Sequence, residues 1–183
     1  MGHRALVAYR RPDDRYDLRY SHWGGEDPSL AGRIDAHTPL ADGAVDASPL
    51  AESISFDGVL TRYLDPCTYE LLYVVAPDAA YAADVYRVCW LEWADRPGTD
   101  RGVVVETTPE RDRALEAWTR ATKTTLADVV DMGRLSENAA RNYLESRLCT
   151  DERGVAYTYL GRPSGASAAR AATSSREERE ESR

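Results

Sequence analysis

The spacing of apolar residues changes near Thr108, and that change constrains the fold of this 183-residue chain more than any other feature. Before Thr108, short alternating or β-branched runs separated by turn residues predict strands; after it, apolar positions recur at helical intervals. Arg4 to Arg10 and Tyr16 to His22 alternate around Pro12-Asp13-Asp14, which predicts a hairpin. Tyr69 to Ala76 is nearly continuous apolar sequence and predicts a strand buried on both faces. Val85 to Trp93 alternates and Arg101 to Thr107 is β-branched, with Arg96-Pro97-Gly98 as the loop between them. Strands followed by helices predict an α+β fold. The expectation is a sheet of roughly five strands, mainly antiparallel, with helices from the C-terminal half packed on it.

Gly24-Gly25 ends the second strand, and Asp27 before Pro28 reads as an N-cap and first helical position, with Leu30 and Ile34 stacked beyond it. His37 to Ser48 lacks periodicity and reads as a loop. A helix is expected from Pro49 or Phe56 to Leu64, ended by Asp65-Pro66. Thr108-Pro109-Glu110 opens a second, with Leu115, Trp118, Leu126, Val129 and Val130 as its apolar stripe. The hydroxyl-rich run Thr122-Lys123-Thr124-Thr125 is expected to break that helix. Gly133 ends the next piece, Ser136 caps another running to about Leu148, and Val155 to Leu160 is a last strand. From Gly161 onward apolar bulk disappears, which predicts a disordered tail. Residues 1–160 are thus expected to form one α+β domain, helical over 109–160, followed by the tail 161–183.

Apolar residues make up 43% of the chain and charged residues 30%, enough of both for a packed core under a wet surface. The longest apolar run, Leu71 to Ala76, falls far short of the ~18 residues a membrane helix needs, and no signal-peptide pattern opens the sequence. The expectation is a cytoplasmic protein with no membrane partner. Of the 23 Lys plus Arg, only Lys123 is lysine, and the net charge is -8. An acidic, almost lysine-free surface suits molar salt, where the Debye length falls to ~3 Å and self-repulsion is screened. A high-GC genome explains the arginine bias without salt. Net acidity supplies no field to draw nucleic acid. The three cysteines (Cys67, Cys89, Cys149) form no C-x-x-C pair and read as buried reduced thiols; with His3, His22 and His37 they make no metal-ligand spacing.

Ser21-His22-Trp23-Gly24-Gly25 is the most distinctive stretch. A histidine at a strand end is where a general base sits, with Asp17, Glu26 or Asp27 to orient it. Strand parity instead places His22 with Tyr16, Leu18 and Tyr20, which predicts a buried ring hydrogen-bonded to backbone or a hydroxyl. Trp23 falls on the opposite face and is a candidate binding residue. Gly24-Gly25 before a helix resembles an anion nest, but Glu26 and Asp27 occupy the position and repel phosphate. The cofactor motifs G-x-G-x-x-G, G-K-[ST] and G-x-S-x-G are all absent, so no cofactor is expected. Tyr81, Tyr86, Trp90 and Trp93 lack interleaved basic residues and read as core rather than a stacking platform; Trp90 and Trp93 have opposite parity, so one should reach a second surface.

Residues 120–160 have the layout of a winged helix-turn-helix: short helix, tight turn, second helix, strand. Ala140, Leu144 and Leu148 supply its inner face and leave Asn138, Arg141, Asn142 and Glu145 outward. Asn and Arg are the side chains that read adenine and guanine. A plain helical hairpin packed on the sheet explains the same pattern, and six basic residues balance six acidic ones between Arg120 and Arg153. The hairpin is the preferred reading, and it predicts that Arg141 contacts an acid of the body.

The segments Met1-Gly2-His3-Arg4-Ala5-Leu6-Val7-Ala8-Tyr9 and Tyr20-Ser21-His22-Trp23-Gly24-Gly25 resemble a family of uncharacterised haloarchaeal proteins of unknown function, over about residues 1–161. The hairpin end also resembles phage proteins that carry His-Trp-Asp-Gly there, with Gly24 in place of their acid. The resemblance implies source and compartment and no activity. The first functional expectation is therefore non-enzymatic binding of a macromolecule or of a second copy of the chain. The alternatives are a DNA-associated regulator acting through residues 120–160 and a small hydrolase centred on His22.

Overall fold

A computed structural model describes residues 2–94, 100–150 and 153–162. Seven strands form one mixed, curled sheet in the order β3-β2-β1-β4-β5-β6-β7. These are β1 (Ala5–Arg10), β2 (Tyr16–Ser21), β3 (Ala51–Ile54), β4 (Leu71–Ala76), β5 (Ala82–Trp90), β6 (Arg101–Thr107) and β7 (Val155–Thr158). The helices are the one-turn α1 (Phe56–Gly58), which continues as a π-helical turn over Val59–Tyr63, then α2 (Pro109–Asp131) and α3 (Glu137–Thr150).

The expected hairpin forms. The Arg11 amide donates to the Arg15 carbonyl, and Asp14 takes the left-handed conformation at φ 56°, which Asp tolerates well. The sheet has seven strands rather than five and is mixed, because β1 pairs in parallel with β4 from Ala5↔Leu71 to Tyr9↔Val75. A parallel pair needs a crossover, and the segment from β3 through the π-helical turn supplies it. β3 lies where a helix from Pro49 was expected. Its four residues alternate poorly because Ser53, at φ 51°, bulges out and donates its amide to Asp17. β3 is thus the strand that was not foreseen, while β7, expected as a last strand over Val155 to Leu160, joins the sheet antiparallel to β6.

Strand alternation sends two sets of side chains to opposite faces. Leu6, Leu18, Leu72, Val88, Val104 and Tyr157 pack on one face around Val59, Leu60, Tyr63 and Leu64 of the crossover. The sheet curls about this plug, so Leu160, just after edge strand β7, donates its amide to the Thr61 carbonyl at 2.7 Å. The opposite face carries two separate covers. Over Ala5, Val7, Tyr73 and Val75 lie the 3-10 turns Pro28–Arg33 and Ala41–Gly43, through Leu30, Ile34 and Val45. Over Cys89, Val103 and Val105 lie α2 and α3, through Leu115, Leu126, Ala140, Leu144 and Leu148.

The Asp27 cap forms as expected, accepting the Ser29 amide at 2.8 Å, but the turn it opens is 3-10. Ser136 caps α3 through the Ala139 amide, and Gly133 takes φ 66° just before it. The break expected at Thr122–Thr125 is absent: α2 runs unbroken through it. The hydroxyls of Thr119, Thr124 and Thr125 donate to the carbonyls four residues back, so they bond within the helix rather than competing with it. The loop Arg96-Pro97-Gly98 and most of the tail 161–183 lie outside the described residues.

Candidate functional site

The sequence-selected residues do not converge. His22 is exposed rather than buried, because β2 ends at Ser21 and no strand continues past it to cover the ring. Its Nδ1 lies 2.9 Å from the Tyr20 hydroxyl, and Trp23, 64% exposed, stands edge-on to it at 4.7 Å between centroids. Of the acids proposed to orient it, Asp17 is engaged with Arg11 and Ser53 and Asp27 with Ser29, while Glu26 lines a cleft with His3 and Glu70 and makes no bond to His22. Gly24-Gly25 offers no open amide, since Gly24 donates to the Ser21 hydroxyl and Gly25 to the His3 carbonyl. A Cβ on Gly25 would stand 2.5 Å from the Arg4 carbonyl oxygen, so this glycine answers a close backbone approach.

On α3, Asn138 and Asn142 are exposed but Arg141 is not outward as its helical position suggested. Its side chain, 19% exposed, turns toward the sheet with Nε 3.5 Å from the Glu92 carboxylate. That is the contact the packed hairpin predicts. Ala140, Leu144 and Leu148 are fully buried, in agreement with their spacing. Glu145, also placed outward, pairs with Arg101 at 2.7 Å. Of the cysteines, only Cys89 is buried; Cys149 is half-buried and Cys67 is exposed beside the Asp65-Pro66 turn, and all three are free thiols. No cluster of three His, Cys, Asp or Glu suited to a metal occurs among the described residues, and no described helix is long and apolar enough to cross a membrane.

What the fold does create is a cleft of about 720 Å³ between α2 and the end of β5 on the second face. One wall is α2, with Glu116, Thr119, Arg120, Lys123, Thr124, Ala127 and Asp128. The floor is β5 and its continuation: Arg87, Val88, Cys89, Trp90 and Trp93. His3, Glu26 and Glu70 close the far side. The gap persists because α2 meets β5 through a polar seam rather than interlocking apolar side chains. Arg87 and Asp112, both buried, form a two-pronged ion pair whose Nε to Oδ1 distance is 2.8 Å. Two helical turns along, the Cys89 thiol lies 3.9 Å from the Thr119 hydroxyl, and burial pushes that thiol up to about 11.

Lys123, the sole lysine, closes the seam. Its ammonium donates to the carbonyls of Trp90 and Glu92 at 2.8 and 2.5 Å and lies 4.8 Å from the Trp90 ring centroid and 5.7 Å from that of Trp93. The Trp93 indole answers by donating to the Lys123 carbonyl at 3.2 Å. Burial lowers the Lys123 pKa. Both tryptophans line the cleft despite their opposite parity, because the chain leaves the strand after Trp90 and bends at Glu92. Sequence reasoning discounted them for want of neighbouring basic residues. The missing cation comes from a helix 33 positions beyond Trp90 and 30 beyond Trp93, and the signal available was that the only lysine interrupts an expected helix.

The fold and the cleft define a class: a mixed α/β protein with a seven-stranded curled sheet and an aromatic-floored cleft at a helix-sheet seam. The model of the family of unknown function DUF6735 matches residues 1–44 and 41–157, nearly the whole sheet with both long helices. The chain belongs to that family. No curated protein and no solved structure matches it.

Proposed function

We propose that this protein is a non-enzymatic binding module that receives part of a macromolecular partner in the cleft between α2 and β5. The observation that carries the reading is the pairing within the cleft wall. His3 is bound to Glu70 at 3.0 Å, Arg120 to Glu116 at 2.7 Å, Arg87 to Asp112, and Lys123 to two carbonyls. A catalytic site needs a base or nucleophile directed at a substrate, whereas these groups are directed at one another. An open, partly apolar cavity of this size suits a few side chains of a partner. Arg141, facing Glu92, lends the DNA-regulator alternative no support, and exposed His22 without a carboxylate partner among the described residues lends none to the hydrolase.

Filling the cleft tests this reading. Ala127→Trp places a large ring on the α2 wall at a half-buried position. A thermal-shift screen of amphipathic fragments should give hits with wild type that disappear in Ala127→Trp, while the variant's own melting temperature changes little. Hits that persist unchanged in the filled variant would contradict it.

The same reading places the protein in a haloarchaeal cytoplasm, supported by a net charge of -8 with one lysine. Dialysis from molar to ~0.1 M potassium chloride lengthens the Debye length to ~10 Å and restores self-repulsion. Circular dichroism should then record loss of structure or a lower melting temperature; a melting temperature independent of salt would contradict the halophilic assignment.

A further inference from the structure

We propose that the cleft selects a planar cation, a guanidinium or amidinium group such as the head of an arginine side chain. This rests on the cleft as binding site and adds the chemistry of what enters it. Four carboxylates line the cavity (Glu26, Glu70, Glu116 and Asp128) against Arg87, Arg120, Lys123 and His3. Each basic group has a wall partner, Arg120 through a single donor of an exposed side chain, and Arg87 is neutralised by Asp112 behind it. Glu26 and Asp128 differ: both are exposed, they come from different segments lining the cavity, and neither carboxylate has a partner among the described residues. With Arg87, Arg120 and His3 offset by their carboxylate partners, the lining is left with the Glu26 and Asp128 carboxylates against the Lys123 ammonium, a net negative charge that favours a cation over an anion.

The floor gives an independent indication. The two indoles already accept one cation from within the protein, the Lys123 ammonium at 4.8 and 5.7 Å from their centroids. Aromatic faces attract cations through their quadrupole, and a flat guanidinium adds stacking that an ammonium lacks. With Ala127 beside the indoles, the lining offers apolar surface for the stem of such a side chain. In molar salt, free charges are screened over a few ångströms, so close contact of this kind outlasts long-range attraction.

Three probes of one shape separate the charges: benzamidine, benzamide and benzoate, titrated calorimetrically into the full chain at fixed molar potassium chloride. Benzamidine should bind about tenfold or more tighter than either isostere, a difference of about 1.4 kcal/mol. The double variant Glu26→Gln/Asp128→Asn, altered only at exposed positions, should keep its melting temperature and lose most of that preference. Benzoate or benzamide binding as tightly as benzamidine, a preference unchanged in the double variant, or binding by none of the three would each overturn the proposal. Should the neutral or anionic probe bind in a manner that Ala127→Trp abolishes, the cleft stands as the binding site and only its preference for cations falls.

Discussion

Asp112→Ala should lower the stability of the fold by about 3–5 kcal/mol, because it leaves a buried guanidinium without its counter-charge. Arg87 and Asp112 are both nearly inaccessible, and Arg87 engages both carboxylate oxygens through Nε and Nη2. Because Arg87 is nearly inaccessible, the variant bears most of the desolvation of its guanidinium without a counter-charge. Thermal unfolding followed by circular dichroism at constant molar salt measures the loss. Replacing both partners, Arg87→Met with Asp112→Leu, should recover most of it, since a buried pair is worth little more than apolar side chains of similar volume. A single-variant loss below about 1 kcal/mol would show that α2 is not seated on this pair.

Lys123→Met should cost about 2–3 kcal/mol, since it strands the Trp90 and Glu92 carbonyls and removes the cation from the indole pair. Methionine keeps the apolar stem, so packing of the chain below the ammonium is retained. The informative variant is Lys123→Arg. Two carbonyls gathered around one nitrogen suit a compact point donor, whereas a guanidinium presents a wide planar fork. Arginine should therefore fail to rescue, with a loss above about 1 kcal/mol. That geometry gives a physical reason why a chain that uses arginine elsewhere keeps one lysine here. Lys123→Arg as stable as wild type would reduce the lysine to an accident of composition.

Strand alternation made much of the sheet legible. Leu6 and Ala8 face one core while Ala5 and Val7 face the other, and the apolar run at Leu71 to Val75 is buried on both sides as a central strand must be. The Ala140, Leu144, Leu148 spacing likewise identified the buried face of α3. Legibility failed where a side chain outside the local segment decided the outcome. The Thr122–Thr125 run reads as a break because its hydroxyls can compete with the helix, yet they bond back into it while Lys123 is tied to a distant strand end. His22 reads as buried only if its strand continues, and strand ends depend on neighbours that the sequence does not display. β3 escaped notice because a bulge at Ser53 removes the alternation that would mark it.

The cleft was the least legible feature. Its walls come from residues near positions 3, 26, 70, 90 and 123, and no local pattern joins them. It arises from where the 3-10 turns, α2 and the end of β5 come to lie rather than from any motif. The polar seam that keeps it open is visible in sequence only as Asp112, Thr119 and Lys123 recurring along one helix face.

The most direct measurement is a map of amide chemical shifts on the isotope-labelled full chain, titrated with the fragments that raise its melting temperature. The account predicts that shifts cluster on the amides of Val88, Trp93, Thr124 and Asp128, on the floor and the α2 wall of the cleft. Shifts centred instead on Asn138 and Asn142, or on His22 and Trp23, would contradict it and return function to α3 or to the end of β2.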